Sequence, residues 1–210
     1  DFGLTFDRSD MWSYETYIEG EHHIFLAVPY MTESIRTYQL TDAQEKWLEE
    51  KICYDEKSGV PTYIYIHVPY TGTVSRSGDT FTDPNFATIL SRHPSAVVIT
   101  SHIHLELNTD MNSVVMGDAT SYGVPFIDTS SLKDTYANGT GGKARSSAYG
   151  RYVRVYDDKI LVRAMYTVDG MWVPRAEYVI PIAGAENPFE GTFAITSSAT
   201  EGTIEEGTVL

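Results

Sequence analysis

Six histidines, His22, His23, His67, His93, His102 and His104, are the side chains best suited to chemistry in this 210-residue sequence. Three of them group by position. His67 stands near the end of the apolar run Tyr63-Ile64-Tyr65-Ile66-His67-Val68, just before Pro69. His102 and His104 follow the run Ala96-Val97-Val98-Ile99-Thr100. Imidazole nitrogens bind borderline metals, and a histidine cluster without cysteine points to Zn, Fe, Mn, Ni or Cu rather than to an all-sulfur site. There is one cysteine, Cys53, which excludes a disulfide scaffold and a Cys-based zinc site. Lying within an amphipathic run, Cys53 reads as a small buried hydrophobe. Histidine alone does not complete a two-metal hydrolytic centre, which needs carboxylates to bridge the ions and offset their charge. Glu106, Asp110 and Asp118 are the local acids, and none stands at a diagnostic spacing.

These histidines must be positioned by strands. The run 63–68 reads as a strand, and the run 96–100 shows no polar alternation, as in a sheet covered on both faces. A helix between them, opened by Asp83 as cap and Pro84 at the first helical position, makes the pair a parallel crossover. Ligand sites in such sheets form outside the carboxyl ends of the strands, so His67, His102 and His104 are expected on one rim. In extended backbone, residues two apart point to one side. His102 and His104 are therefore expected to reach neighbouring ions.

Upstream, Tyr14–Val28 reads as a hairpin turning at Glu19-Gly20-Glu21. His22 and His23 open its second strand, one exposed and one packed, both structural. Thr41-Asp42-Ala43-Gln44 has capping-box spacing. The helix it opens places Ala43, Trp47, Leu48 and Ile52 on one face and ends near Cys53. His93, before Pro94, sits at a helix end, where a cation favours the dipole. Downstream, 113–116, 124–128, 152–156, 160–168 and 177–182 read as strands, with turns at Asp157-Asp158-Lys159 and Asp169-Gly170. Residues 71–82 and 133–150 read as loops. The fold class is α/β: mixed β-sheet layers with flanking helices, one domain over 1–182. Residues 183–210 hold acids, Thr, Ser and Gly, as a linker or tail toward a further module would.

Asp plus Glu number 29 and Lys plus Arg 15, a net charge of −14. That field repels polyanions, so no nucleic-acid or anionic-lipid surface is expected. A small phosphate substrate is not excluded, because a bound metal reverses the local field. No run of 18 apolar residues occurs, so there is no helical membrane span. The chain opens on Asp1-Phe2-Gly3-Leu4 with neither initiator Met nor signal peptide, as a segment of something longer would.

Taken together, the segments resemble the C-terminal half of calcineurin-like metallophosphoesterases. The helix Leu40-Thr41-Asp42-Ala43-Gln44-Glu45-Lys46-Trp47-Leu48 is similar to the family's Gln-x-x-Trp-Leu helix. Tyr63–Pro69 is similar to its strand ending in His-x-Pro, and Thr100-Ser101-His102-Ile103-His104 to its Gly-His-x-His motif, with Ser101 in place of Gly. The resemblance covers roughly residues 14–182 and implies a metallophosphoesterase-type β-sandwich. It implies that His67 and His102 ligate one ion of a divalent pair (Mn, Fe or Zn) and His104 the other, with a small phosphoester as substrate. The family's N-terminal motifs, Asp-x-His, Gly-Asp-x-x-Asp and Gly-Asn-His-Asp/Glu, do not occur here. The chain is thus expected to supply part of a two-metal site, to be inactive alone, and to contact a missing N-terminal half or an adjacent domain.

Two other readings stay open. One is a non-catalytic binding or interaction module on the same fold, in a secreted multidomain protein, to which the 15 tyrosines and the tail would suit. The other is a His-only metal enzyme of another class, which needs Glu106 or Asp118 near the imidazoles. Composition and tail suit an extracellular or cell-envelope protein of a bacterium. Asn138-Gly139-Thr140 has the form of a glycosylation sequon. The loops 71–82 and 133–150 are expected to flank the site and select the substrate.

Overall fold

The computed structural model describes residues 13–27, 39–58, 62–74, 81–108, 112–117, 122–136 and 145–182. Alternating residues build the first edge. β1 (Tyr14–Ile18) and β2 (Glu21–Leu26) pair antiparallel across Glu19 and Gly20, whose φ angles are 51° and 92°. A two-residue turn with both φ positive matches the twist of the strands it joins. β2 alternates buried and half-buried residues, so His22 is buried and His23 lies on the opposite face, half-buried. Neither is exposed.

β3 (Thr62–Ile66), β4 (Ala96–Thr100) and β6 (Phe126–Asp128) continue the sheet parallel to β2. β5 (Val114–Val115) closes the far edge antiparallel, giving the order β1-β2-β3-β4-β6-β5. β4 is buried at every residue, as a strand covered on both faces must be.

Two helices cover one face. α1 (Asp42–Ser58) starts with the reciprocal bonds its sequence encodes: Gln44 N donates to Thr41 Oγ1 at 3.3 Å, and Thr41 N donates to Gln44 Oε1 at 3.0 Å. α1 runs past Cys53 to Ser58. Its buried face is Gln44, Leu48, Ile52 and Asp55, and Ala43 is exposed. The helix keeps going because Asp55, a polar residue, is buried in a bonded network and continues the inner face. α2 (Pro84–Arg92) is capped by Asp83, whose carboxylate accepts from Asn85 N and Phe86 N. The same carboxylate accepts from Leu40 N at 2.8 Å, tying the starts of the two helices together. Leu48 and Ile52 of α1 and Phe86, Ile89 and Leu90 of α2 pack with Ile24, Ile64, Val98 and Phe126 of the sheet.

The opposite face is covered by a three-stranded antiparallel sheet of β9 (Tyr149–Val155), β10 (Lys159–Tyr166) and β11 (Met171–Pro181). Ile160, Val162 and Ile180 pack against Tyr63, Val97, Ile99 and Ile127. The layers are therefore helices, six-stranded sheet, three-stranded sheet: a mixed α/β sandwich. The stretch 133–150 is not all loop. It contains β7 (Asp134–Thr135) and β8 (Arg145–Ser146), paired antiparallel, and the start of β9. Cys53 is half-buried, its Sγ 3.7 Å from Nε2 of His93, which is buried at the end of α2. Asp110, Asp118, the sequon at 138–140 and the segment 183–210 lie outside the described residues.

Candidate metal centre

The parallel strands β2, β3, β4 and β6 all end on one rim. His67 follows β3 directly, and Ser101-His102-Ile103-His104 follows β4. The β3 and β4 ends are locked together by Ser101 N donating to the His67 carbonyl at 3.0 Å. The chain then turns sharply, with Ile103 N donating to Ser101 O at 2.8 Å.

The His-x-His stretch is not extended. His102 and His104 both have positive φ, 69° and 50°, so the expected same-side alternation does not operate. The left-handed backbone instead sends the two rings to different partners. His102 Nδ1 lies 3.2 Å from His67 Nε2, with the ring planes at 79°. His104 Nδ1 lies 2.7 Å from the carbonyl oxygen of Asp134. A carbonyl oxygen only accepts, so His104 carries its proton on Nδ1 and presents the Nε2 lone pair. That is the tautomer a metal-binding imidazole needs, held by the kind of backbone contact that orients such ligands. Ser101 keeps an ordinary φ, so replacing Gly there costs no backbone strain.

Left-handed backbone at non-glycine residues costs free energy and persists where neighbours over-determine it. Here the turn after β6 holds the loop at both ends. Thr129 N and Oγ1 donate to the Thr100 carbonyl at 2.8 and 3.0 Å. Ser101 Oγ donates to Ser130 O at 2.9 Å, and Ser130 Oγ donates to Leu105 O. Ser130 itself has φ 66° and donates its N–H to Asp128 Oδ2 at 3.1 Å. Tyr136 N takes the His104 carbonyl at 2.8 Å. Asp128, Ser130 and Asp134 were not singled out by sequence. The strand-end logic that found His67 would have found Asp128, which lies opposite Thr100 in the register.

Asp128 is fully buried, and its Oδ1 has no hydrogen-bond partner among the described residues. Burial pushes its carboxyl up from 3.8 to about 7, partly opposed by the Arg151 charge and the Ser130 amide. Arg151, half-buried, is pushed down to about 10 by loss of water around its guanidinium. Its guanidinium donates to Asp128 O, Ala176 O and Ser113 Oγ. Burial lowers His67, and the neighbouring His104 lowers it further, which favours the neutral, ligating form.

His67 and His102 are exposed and His104 is half-buried. Beside His67 lies an open cavity of about 340 Å³, bounded by Phe25, Tyr65, Ile66, Thr100 and Ser101. Two nitrogens bound tetrahedrally at about 2.0–2.1 Å lie roughly 3.3 Å apart, so the 3.2 Å separation of His67 Nε2 and His102 Nδ1 fits a shared ion. Among the described residues, no three His, Cys, Asp or Glu side chains converge on one point. Glu106 does not join the imidazoles as a third ligand; it is buried, and its Oε1 accepts from Ser147 Oγ at 3.2 Å.

The sequence matches no family model and no curated protein. Among solved structures the chain is similar to a dimetal phosphatase from Danio rerio, with a TM-score of 0.57 and 11% identity. That similarity covers 83% of this chain and 62% of the phosphatase, so the chain spans less than two thirds of its length. At this identity the likeness shows the fold, and the fold of this chain is metallophosphoesterase-like.

Proposed function

We propose that this chain carries the histidine ligands of a two-metal site for phosphoester hydrolysis. His67 and His102 would hold one divalent ion and His104 the second. The observation that carries the reading is the set of ring nitrogens: two converge to 3.2 Å, and the third is fixed with its Nε2 lone pair free of the ring proton. When bound, such a metal pair activates water and offsets charge on a phosphoester. The chain's own residues bind and orient. The Thr129–Ser130 turn holds the loop, the Asp134 carbonyl fixes the His104 tautomer, and the cavity beside His67 admits a small substrate. The carboxylates such a centre needs are not gathered at these rings among the described residues, so they would come from elsewhere in the complete site.

The test is calorimetric titration of the chain with Zn2+ and Mn2+, alongside hydrolysis of p-nitrophenyl phosphate. Saturable binding that weakens more than about tenfold in His67→Ala and His102→Ala is the expected result. Unchanged binding in both variants would sink the assignment and favour a non-catalytic module.

A further inference from the structure

The cavity of about 340 Å³ beside His67 has a wall that crosses three strands. Tyr14 and Phe25 are partners in the register of β1 and β2, and Phe25 and Tyr65 in that of β2 and β3. Their rings stack nearly parallel. Tyr14 and Phe25 have centroids 4.5 Å apart at 9°, and Phe25 and Tyr65 4.4 Å apart at 10°. All three line the cavity. Neighbouring strands lie about 4.7–4.9 Å apart, so the stack follows the strand spacing, each ring facing the next. Both faces of Phe25 are covered in this way, and the part of it left for a guest is its edge. A ring edge is the positive part of the quadrupole and attracts the face of another ring.

The remaining lining is apolar on its sides, with Ile66 and Ile99 buried there. None of the described residues around the cavity is Asp, Glu, Lys or Arg. The Tyr65 hydroxyl meets His23 Nδ1 at 3.0 Å. Burial, helped by the Glu21 charge, pushes that hydroxyl up to about 12, so it stays uncharged at neutral pH. A charged group entering this lining would shed water and meet no countercharge. An apolar group gains by leaving water. The volume stands at the small end of ligand sites.

We propose that the organic group of the phosphoester is an uncharged aromatic ring, held in this cavity with its face against the edges of the Tyr14–Phe25–Tyr65 stack and its phosphoryl group toward His67 and His102. The inference rests on the phosphoester reading and names the class of ester: aryl or arylmethyl, in preference to short alkyl or cationic alcohols. His67 joins the two halves of the site, since it lines the cavity and stands 3.2 Å from His102.

The test titrates the full chain, with Zn2+ present, with four phosphonates that cannot be hydrolysed as esters: phenyl, cyclohexyl, methyl and 2-aminoethyl. Calorimetry gives the affinities, and NMR follows the ring protons of Phe25 and Tyr65. Phenylphosphonate is expected to bind at least about tenfold more tightly than methylphosphonate. It should bind about threefold more tightly than cyclohexylphosphonate, which has the area without the ring face. The 2-aminoethyl compound should bind no more tightly than the methyl one. Ala27→Leu, at an exposed position on the lining, narrows the space while keeping all three rings, and should remove the phenyl advantage. Equal binding of the phenyl and methyl compounds to the Zn-loaded chain overturns the proposal and leaves the metal site standing. Equal binding of the phenyl and cyclohexyl compounds overturns the aromatic class. If the chain binds no Zn2+, the phosphoester reading falls, and benzyl alcohol decides the cavity by itself. Saturable shifts of the Phe25 and Tyr65 ring protons, abolished by Ala27→Leu, would then keep the ring site, and their absence would overturn it.

Discussion

At the N-terminal end of β3, Thr62 lies opposite His22 in the register, and His22 is fully buried. Both its ring nitrogens face carboxylates: Nδ1 lies 2.6 Å from Asp55 Oδ2 and Nε2 2.9 Å from Glu15 Oε2. Thr62 Oγ1 donates to the same Asp55 oxygen at 2.6 Å, Lys51 Nζ meets Glu15 at 2.5 Å, and Tyr17 stacks on the His22 ring at 4.4 Å. At the other end of β3, His67 is exposed and faces a second imidazole across 3.2 Å. One histidine is enclosed and saturated with partners. The other is open, with a neighbour that offers the same lone-pair chemistry. Burying a polar ring is tolerable only with full hydrogen bonding. At the solvent-reached end of β3 the exposed His67 ring stands beside a second imidazole, the kind of arrangement a binding site requires.

The largest way to break the contrast is Asp55→Ala. It removes one partner of a buried charged network and should cost about 3–5 kcal/mol in urea unfolding. The rim histidines should bind metal as before in the folded fraction. A loss below about 1 kcal/mol would mean that the His22 end is not the stabilising one.

Asp128 should give a smaller, pH-dependent effect. Its carboxyl is raised in the fold from 3.8 to about 7, so the fold holds a proton that the unfolded chain gives up. Stability from this group is complete below pH about 4 and falls as pH rises to about 7. Chemical denaturation across that window should show the decline in the parent chain and its absence in Asp128→Asn. A parent profile that rises over the same window would reverse the assignment.

The smallest effect on stability belongs to the rim. His67→Ala and His102→Ala should each leave unfolding free energy within about 0.5 kcal/mol, because exposed side chains contribute little. A larger loss in thermal or urea unfolding would make the rim structural, and the contrast between the two ends of β3 would collapse.

Much of the architecture was legible because it rests on local rules. The Thr41–Gln44 capping box, the Asp83-Pro84 start of α2, the Glu19-Gly20 turn and the unbroken apolar run of β4 each signal their element within a few residues. The length of α1 was not legible. Its inner face ends on Asp55, whose burial depends on His22 and Thr62, residues 33 and 7 positions away. The strands β7 and β8 were also hidden, since two-residue pairs within a polar stretch carry no periodicity.

The candidate site divides the same way. Residue type and strand-end position alone bring His67, His102 and His104 to one rim, because parallel strands present their carboxyl ends together. How the rings are aimed was decided by the tertiary structure. The left-handed backbone at His102 and His104 and the carbonyl of Asp134 come from contacts about 30 residues away in sequence. The clamp of Thr129 and Ser130 has the same long-range origin. Local patterning determines which elements form and where a histidine falls along them. Only the packed fold, by satisfying each backbone polar group in turn, determines which nitrogen keeps its proton and which is presented.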